Sequence, residues 1–221
     1  STTKTIIGVG GGFSVGKSRF LNTLCGISLL PEALEPSTAI PTYLTHGNKQ
    51  SIVALNAFNF EAELDVPALN AVSHAFHHHY RDALGEDVGF AHMLRVLMIQ
   101  QPHFLWQNLA LLDTPGYSKA DAHTNQSDAE LAQQQLSEAD HIIWLVSAKN
   151  GSVREDDIAF IRTLNHKKPI FLVITQADLI PTSKLTAVIN VTRDAFAKAQ
   201  IGLAGLMAWQ APISLNEAGC V

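Results

Sequence analysis

Cysteine, long apolar runs and positive charge are all scarce in this chain of 221 residues. Its two cysteines, Cys25 and Cys220, are too few for a disulfide framework and suit a reducing compartment, so we expect a cytoplasmic protein. No apolar run approaches the roughly 20 residues of a membrane span, and no signal peptide is visible. The formal net charge of −5 gives no overall electrostatic reason to expect nucleic acid or anionic lipid as a partner.

The rest of the composition is typical of a folded globular protein. Hydrophobic residues make up 47% of the chain and charged residues 16%, which argues against disorder. A chain of this length can form one α/β domain with a good core. We therefore predict a single domain over residues 1–221, without internal repeats or low-complexity tracts.

Strand-like apolar runs alternate with helical patterns. This alternation predicts an α/β fold of three layers, with a mostly parallel central sheet and helices on both faces. The predicted strands are Thr5–Gly10, Tyr43–His46, Ser51–Phe60, Phe104–Leu112, His141–Ser147, Ile170–Thr175 and Leu206–Ser214. The predicted helices are Lys17–Leu24, Pro67–Leu84, Ser127–Glu138, Val153–Asn165 and Ser183–Gln200.

Two local signals refine this pattern. Gly47-Asn48 lies between two strand-like runs and predicts a hairpin, so one strand is expected to be antiparallel. Ser152-x-x-Glu155 has the form of a capping box and predicts that a helix starts just after the Asn150-Gly151 turn.

The segment from about 61 to 101 does not fit the alternation and predicts a helical insert. Its first helix carries His74, His77, His78 and His79, and a second contains His92. His74 and His78 are spaced to share a metal, whereas the alternative is a polar helix face that titrates near neutrality. We favour the polar face, since no cysteine or second spaced ligand set completes a metal site.

Residues 11–18 read Gly-Gly-Phe-Ser-Val-Gly-Lys-Ser, a phosphate-binding loop of the form G-x-x-x-x-G-K-[ST]. It follows an apolar run and leads into a helical pattern, which is the context that the motif requires. The glycines let backbone N–H groups face a phosphate chain, and the following helix directs its positive end at the same anions. Lys17 adds a charge for the β- and γ-phosphates, and the Ser18 hydroxyl can bind Mg²⁺.

Three further motifs favour a GTPase over a kinase or an ATPase. In Asp113-Thr114-Pro115-Gly116, the carboxylate can hold the Mg²⁺ shell and the glycine N–H can reach a γ-phosphate. In Thr175-Gln176-Ala177-Asp178, the carboxylate can accept hydrogen bonds from N1–H and the 2-amino group of guanine, a pair that adenine does not offer. In Ser37-Thr38, Thr38 can reach Mg²⁺ and the γ-phosphate and form a switch. Thr42 competes for that role, but it is expected to open the next strand.

With these motifs the chain resembles the dynamin-like GTPases, particularly their bacterial members. The resemblance extends from the first strand to Asp178, and single pieces of it would also fit ribosome-assembly GTPases. The matching segments are Gly11 to Ser18, Phe20-Leu21-Asn22-Thr23-Leu24-Cys25-Gly26, Leu29-Leu30-Pro31, Pro36-Ser37-Thr38-Ala39-Ile40-Pro41-Thr42, Asp113–Gly116 and Thr175–Asp178.

The resemblance implies a phosphate-loop GTPase fold, hydrolysis of GTP, and Mg²⁺ as cofactor. It implies catalytic roles for Ser14, Lys17, Thr38 and Gly116, and metal ligation by Ser18, Thr38 and Asp113. Ser14 would help to position the attacking water and a monovalent cation, K⁺ or Na⁺. The implied nucleotide-binding residues are Gly11, Gly12, Phe13, Ser14, Val15, Gly16, Lys17, Ser18, Arg19, Thr175, Gln176, Asp178 and Ser214.

Two positions depart from the family pattern. Gln176 stands where the guanine motif usually has lysine, so we expect weaker guanine affinity with the base choice retained. Tyr117 follows Gly116, where small regulatory GTPases have a glutamine that orients the water. Hydrolysis would then depend on Ser14, on the first switch and on a second copy of the domain, because dynamin-like domains pair face to face across the nucleotide.

We therefore expect a domain that binds GTP and GDP, forms a nucleotide-dependent homodimer and hydrolyses GTP with Mg²⁺. One alternative is an interaction module that hydrolyses slowly; another is a ribosome-associated GTPase, against which the acidic net charge argues. Because the family carries helical stalks beside its GTPase domain, we expect this chain to be one domain of a longer protein. Membrane contact would belong to those other regions and would make the full-length protein peripheral to a membrane.

Overall fold

The computed structural model describes residues 3–28, 30, 40–56, 58–69, 94–116 and 126–212. The strands are β1 Thr5–Gly11, β2 Thr42–His46, β3 Ser51–Asn56, β4 Glu61–Leu64, β5 Leu94–Gln101, β6 Leu109–Asp113, β7 His141–Ser147, β8 Ile170–Thr175 and β9 Leu203–Ala208. The helices are α1 Lys17–Cys25, α2 Gln126–Glu138, α3 Glu155–Thr163 and α4 Thr182–Lys198, with short 3-10 helices at Ala148–Asn150 and Ala177–Leu179. Residues 66–69 are also helical.

The described strands form one sheet that is mostly parallel, as predicted. Its strand order is β4-β3-β5-β2-β6-β1-β7-β8-β9, and the five strands from β6 to β9 in that order run in the same direction. Within the described part, three strands (β2, β4 and β5) run against β1, where the sequence predicted one. The carboxyl ends of β1, β6, β7 and β8 therefore meet at one edge.

The hairpin predicted at Gly47-Asn48 is wrong, because β2 and β3 do not pair. β5 lies between them, parallel to β2 and antiparallel to β3. The connection crosses the end of β5, where the Gly47 N–H donates to Gln101 O at 3.2 Å. A side chain at Gly47 would place its first carbon 2.7 Å from Gln100 Cβ. The glycine therefore serves a close crossing rather than a two-residue turn.

A hairpin does form between β3 and β4, and its turn lies inside the single strand predicted over Ser51–Phe60. Asn56 Oδ1 accepts hydrogen bonds from the N–H groups of Phe58 and Phe60, both at 2.9 Å. Asn59 has a left-handed φ of 63°. Asparagine tolerates this conformation and bonds to nearby backbone, so these two residues are the local signal for the turn.

The helical insert predicted around 61–101 is bounded by strands, since β4 and β5 occupy its ends. A helix does start near Pro67, and Asp65 Oδ1 accepts the Ala68 N–H at 2.8 Å. Residues 70–93, with all five histidines of the predicted insert, lie outside the described residues.

The capping box predicted at Ser152 is also absent, because α3 begins two residues later than that box requires. Arg154 occupies the cap position, and its N–H donates to Asp157 Oδ2 at 3.3 Å. Burial raises the pKa of the Asp157 carboxyl. Val153 is buried, and its N–H donates to Thr192 Oγ1 at 3.1 Å on α4. This anchored residue stands where the predicted helix would have begun.

Two apolar cores lie on opposite faces of the sheet, which gives the predicted three layers. Along β7, Ile142, Trp144 and Val146 join a core with residues of α2, α3 and α4. Leu145 joins the other core, with residues of α1. Side chains alternate across a strand, so one buried strand serves both cores and holds its carboxyl end in a fixed place.

Candidate nucleotide site at the carboxyl edge of the sheet

The predicted motifs follow parallel strands and therefore meet at one edge. The phosphate-binding loop follows β1, Thr114 to Gly116 follow β6, and Gln176 to Asp178 follow β8. In an open α/β sheet, this edge is where ligands bind. The strand order places β1 directly between β6 and β7, so the loop lies at the centre of the group.

The phosphate-binding loop has two left-handed residues. Ser14 has φ 59° and Gly16 has φ 81°. Backbone of this kind turns successive N–H groups toward one concave side, which suits an anion. Glycine accepts the conformation readily, whereas serine does so at a cost. Ser14 is exposed on the loop, so its strained position holds a hydroxyl at the surface of the site.

Helix α1 starts directly from this loop. Lys17 is its first residue and Gly16 is its cap, and the Phe20 N–H donates to Gly16 O at 2.9 Å. The free N–H groups of the first turn and the helix dipole therefore face the site. Ser18 is half-buried and Arg19 is exposed.

Lys17 and Asp113 form a buried ion pair between the first and second motifs. Lys17 Nζ contacts Asp113 Oδ1, and the two side chains are 8% and 2% exposed. Burying two charges is tolerated when they are paired.

The Asp113 charge also acts on the Cys25 thiol in α1. The pKa of this thiol is raised to about 12, first by burial and then by that charge. The Cys25 thiol is thus protonated at neutral pH and unsuited to nucleophilic chemistry.

The second motif is also tied to the first by its next residues. The Thr114 hydroxyl donates to Val9 O at 2.8 Å. A side chain at Gly116 would place its first carbon 3.6 Å from Phe13 Cα. The glycine backbone thus runs directly beside the phosphate-binding loop. Tyr117 lies outside the described residues.

The third motif contacts the phosphate-binding loop from the other side. The buried Thr175 hydroxyl donates to Val15 O at 2.6 Å. Gln176 is left-handed, with φ 55°, and its Oε1 accepts a hydrogen bond from the Ser147 hydroxyl at the end of β7. Asp178 is exposed on the short helix that follows.

Trp209 closes the far side of this motif and was not among the predicted site residues. Its N–H donates to Ile174 O at 2.7 Å, and its carbonyl accepts the Ala177 N–H at 3.3 Å. Its ring meets the ring of Phe20 edge to face, with centroids 5.3 Å apart. Trp209 thereby joins α1 to the turn that bears Asp178. A tryptophan within the last predicted strand, Leu206–Ser214, was the one available signal.

Asn22 is a further residue whose contacts were not predicted from the sequence, as is Ser147, whose bond to Gln176 is described above. Asn22 lies within α1, where asparagine is disfavoured, and its buried amide bonds twice to Leu30: Nδ2 donates to the carbonyl at 2.8 Å, and Oδ1 accepts the N–H at 3.0 Å. This pair fixes where the chain leaves α1 for the predicted first switch. The unusual mid-helix asparagine was a signal for it.

The first switch itself is described only at its end. Thr38 lies outside the described residues, as does Ser214. Thr42 is the first residue of β2, as predicted. It is buried, and its hydroxyl donates to Ile40 O at 3.3 Å. Thr42 therefore has a partner within the fold, and the role of Thr38 stays a prediction.

Two of the motifs contain oxygen donors that suit Mg²⁺. Ser18 lies in the first turn of α1, and Asp113 Oδ1 contacts Lys17 Nζ at the end of β6. Hard cations of this kind prefer oxygen ligands. In the described part of the chain, no cluster of three or more His, Cys, Asp or Glu side chains offers a separate metal site.

No helix among the described residues is both long and apolar enough to cross a bilayer.

Comparisons with known proteins indicate the family of this chain. The model of the Dynamin family matches residues 7–178. Dynamin-like protein 2 of Campylobacter jejuni is 26% identical over 193 residues, which cover 87% of this chain and 29% of that protein. GTPase Era of Ruminiclostridium cellulolyticum is 35% identical over 83 residues, which cover 37% of this chain and 28% of that protein.

A solved structure from an oligomerised bacterial dynamin pair, described as sensing and tethering membranes, has a TM-score of 0.69 at 19% identity. The match covers 97% of this chain and 32% of that one. The chain thus spans about a third of the length of these three relatives. Because the family model covers most of the chain, from β1 to the guanine motif, this protein belongs to the dynamin family and has the fold of its GTPase domain.

Proposed function

We propose that this domain binds GTP with Mg²⁺ at the carboxyl edge of the sheet and hydrolyses it, and that pairing of two copies stimulates hydrolysis. The observation that supports the proposal most strongly is the contact of three motif loops with one another. Lys17 pairs with Asp113, the Gly116 backbone lies against Phe13, and Thr175 holds Val15.

The phosphate chain would bind along residues 11–18, against the N–H groups of the loop and the start of α1. Lys17 would turn from Asp113 toward the β- and γ-phosphates and so exchange one anionic partner for another. Ser18, Thr38 and Asp113 would hold Mg²⁺, which supplies charge stabilisation at the phosphates when it is bound. Gly116 would offer its N–H to the γ-phosphate, because no side chain blocks the approach.

The base would bind at the turn after β8. Asp178 is exposed there and would accept hydrogen bonds from N1–H and the 2-amino group of guanine. Gln176 lies between that turn and the loop, with Nε2 beside Gly16. It would pack on the base without adding a charge, while Ser214 would approach from the segment after β9.

The attacking water would be positioned by Ser14 and Thr38, since Tyr117 cannot replace the glutamine of small regulatory GTPases. A K⁺ or Na⁺ ion beside Ser14 would add positive charge. A second copy facing the nucleotide would complete the site, a proposal supported by the oligomerised dynamin pair among the structural relatives. That pair is described as sensing and tethering membranes, so we propose a cytoplasmic domain whose full-length protein lies peripheral to a membrane.

The decisive experiment is GTP turnover measured over a wide range of protein concentration, with Mg²⁺ and with excess chelator. We expect the specific activity per domain to rise steeply with concentration and to vanish without Mg²⁺. A constant specific activity would refute stimulation by pairing. Turnover close to zero at every concentration, with GTP binding intact, would favour the interaction module that hydrolyses slowly.

Replacing Ser14 with alanine is expected to lower the turnover number by about 10- to 100-fold, while GTP affinity changes less than threefold. The reason is that an interaction made only in the transition state affects kcat rather than binding. Single-turnover hydrolysis and equilibrium binding of a non-hydrolysable GTP analogue would separate the two effects. Ser137→Ala, at an exposed serine of α2, is the matched control. Equal losses of kcat and affinity in the Ser14 variant would contradict a catalytic role.

RNA binding is a second candidate, supported by the similarity to Era. A solved Era structure in complex with MgGDPNP and a segment of 16S ribosomal RNA has a TM-score of 0.54 to this chain. The net charge of −5 opposes it, because RNA affinity draws on phosphate neutralisation. Salt-dependent binding of a ribosomal RNA fragment by the domain would establish this function.

A further inference from the structure

We propose that Ser147 is a positioning residue of the guanine site and acts through Gln176; this inference rests on the proposed binding of GTP. Ser147 is the last residue of β7 and is 1% exposed. Its hydroxyl donates to Gln176 Oε1. The pairing of this buried hydroxyl with a side-chain amide is a specific contact, since a buried hydroxyl without a hydrogen-bond partner destabilises the folded state.

The sheet places these two residues side by side. In the parallel register of β7 and β8, Ser147 is the partner of Thr175, so Gln176 emerges beside it at the same edge. Gln176 has a left-handed φ of 55°, a conformation that side chains other than glycine rarely adopt. The bond to Ser147 is therefore one of the contacts that can hold this strained residue in place.

The bond also holds the amide beside the phosphate-binding loop. Because Ser147 binds Oε1, the Nε2 end is turned toward the phosphate-binding loop. A side chain added at Gly16 would place its first carbon 3.9 Å from Nε2, so the amide lies just beyond the loop, within reach of one added carbon.

Position matters here because Gln176 has no charge. Its side chain would contribute to binding by packing on the base, which requires that it be held in one place. Ser147 supplies that anchor from the end of β7.

The test is a double-mutant cycle on nucleotide affinity with wild-type, Ser147→Ala, Gln176→Ala and the double variant. GDP and a non-hydrolysable GTP analogue are the probes. We expect Ser147→Ala to weaken both by about five- to tenfold, because a Gln176 side chain that is no longer held would lose a contact with the base worth about one hydrogen bond. The preference for GTP over ATP should not change, since Asp178 reads the base. On the Gln176→Ala background, Ser147→Ala should weaken binding no further.

Thr192→Val is the matched control, because it removes a fully buried hydroxyl between α3 and α4 at nearly constant volume. It should lower the melting temperature and leave nucleotide affinity unchanged. If Ser147→Ala behaves like this control, or if its loss is the same on both backgrounds, Ser147 has no positioning role. A wild-type domain that binds no guanine nucleotide would refute the proposed function and this inference together, whereas additive losses in a domain that binds GTP refute the inference alone.

Discussion

Replacing Lys17 with alanine should abolish measurable GTP binding, a loss of at least about 100-fold. Hydrogen bonds to charged groups contribute about 1.5–3 kcal/mol each, so two lost contacts to phosphate suffice for this factor. The variant should also be less stable than wild type. Asp113 is 2% exposed and pairs with Lys17, and a buried charge left without its partner costs about 3–5 kcal/mol.

These two effects can be separated by measuring thermal unfolding alongside equilibrium binding of a fluorescent GTP analogue. The double variant Lys17→Ala/Asp113→Asn should regain much of the stability, because the buried charge is removed, but it should not regain binding. Lys184→Ala, at an exposed position of α4, should leave both properties unchanged. Normal GTP binding by the Lys17→Ala variant would contradict the site.

Replacing Asp178 with asparagine should weaken GTP binding by about 100-fold and relax the choice of base. The carboxylate would accept two hydrogen bonds from guanine, whereas an amide offers one acceptor and adds donors that face the donors of the base. A binding site that forms hydrogen bonds with a polar group of its ligand can discriminate against analogues that lack this group by several orders of magnitude. Xanthine has an oxygen in place of the 2-amino group of guanine, and this oxygen can accept a hydrogen bond from the new amide. Xanthosine triphosphate should therefore bind the variant better than it binds wild type.

Competition binding with GTP, ATP and xanthosine triphosphate would measure this change. Asp194→Asn, an exposed aspartate of α4, is the control and should keep the wild-type preference. An Asp178→Asn variant that still prefers GTP over ATP by the original factor would show that another residue reads the base.

The strands at the heart of the site could be predicted well from the sequence. β7 and β8 have the predicted bounds, His141–Ser147 and Ile170–Thr175. Both are buried on two faces, so each reads as a continuous apolar run that ends at a polar residue. The motifs at their ends could therefore be assigned to one edge before any contact was known.

The other half of the sheet was predicted less well, because its order depends on distant pairing. β5 separates β2 from β3, although it comes much later in the chain and lies in a segment predicted to be helical. β6 begins at Leu109 rather than Phe104, and β9 spans Leu203–Ala208 rather than Leu206–Ser214. Local patterns carry little information on such ends, where side-chain burial by neighbouring elements decides the boundary.

The partners in these contacts could not be predicted from the sequence, and the form of the contacts has an evolutionary consequence. Thr114 bonds to the carbonyl of Val9, Thr175 to that of Val15, and Asn22 to the backbone of Leu30. In each case one partner is a specific side chain and the other is main chain. These bonds do not depend on which side chain the main-chain partner carries, as long as the chain follows the same path. Divergence to 19–26% identity, as in two relatives, is therefore compatible with such connections.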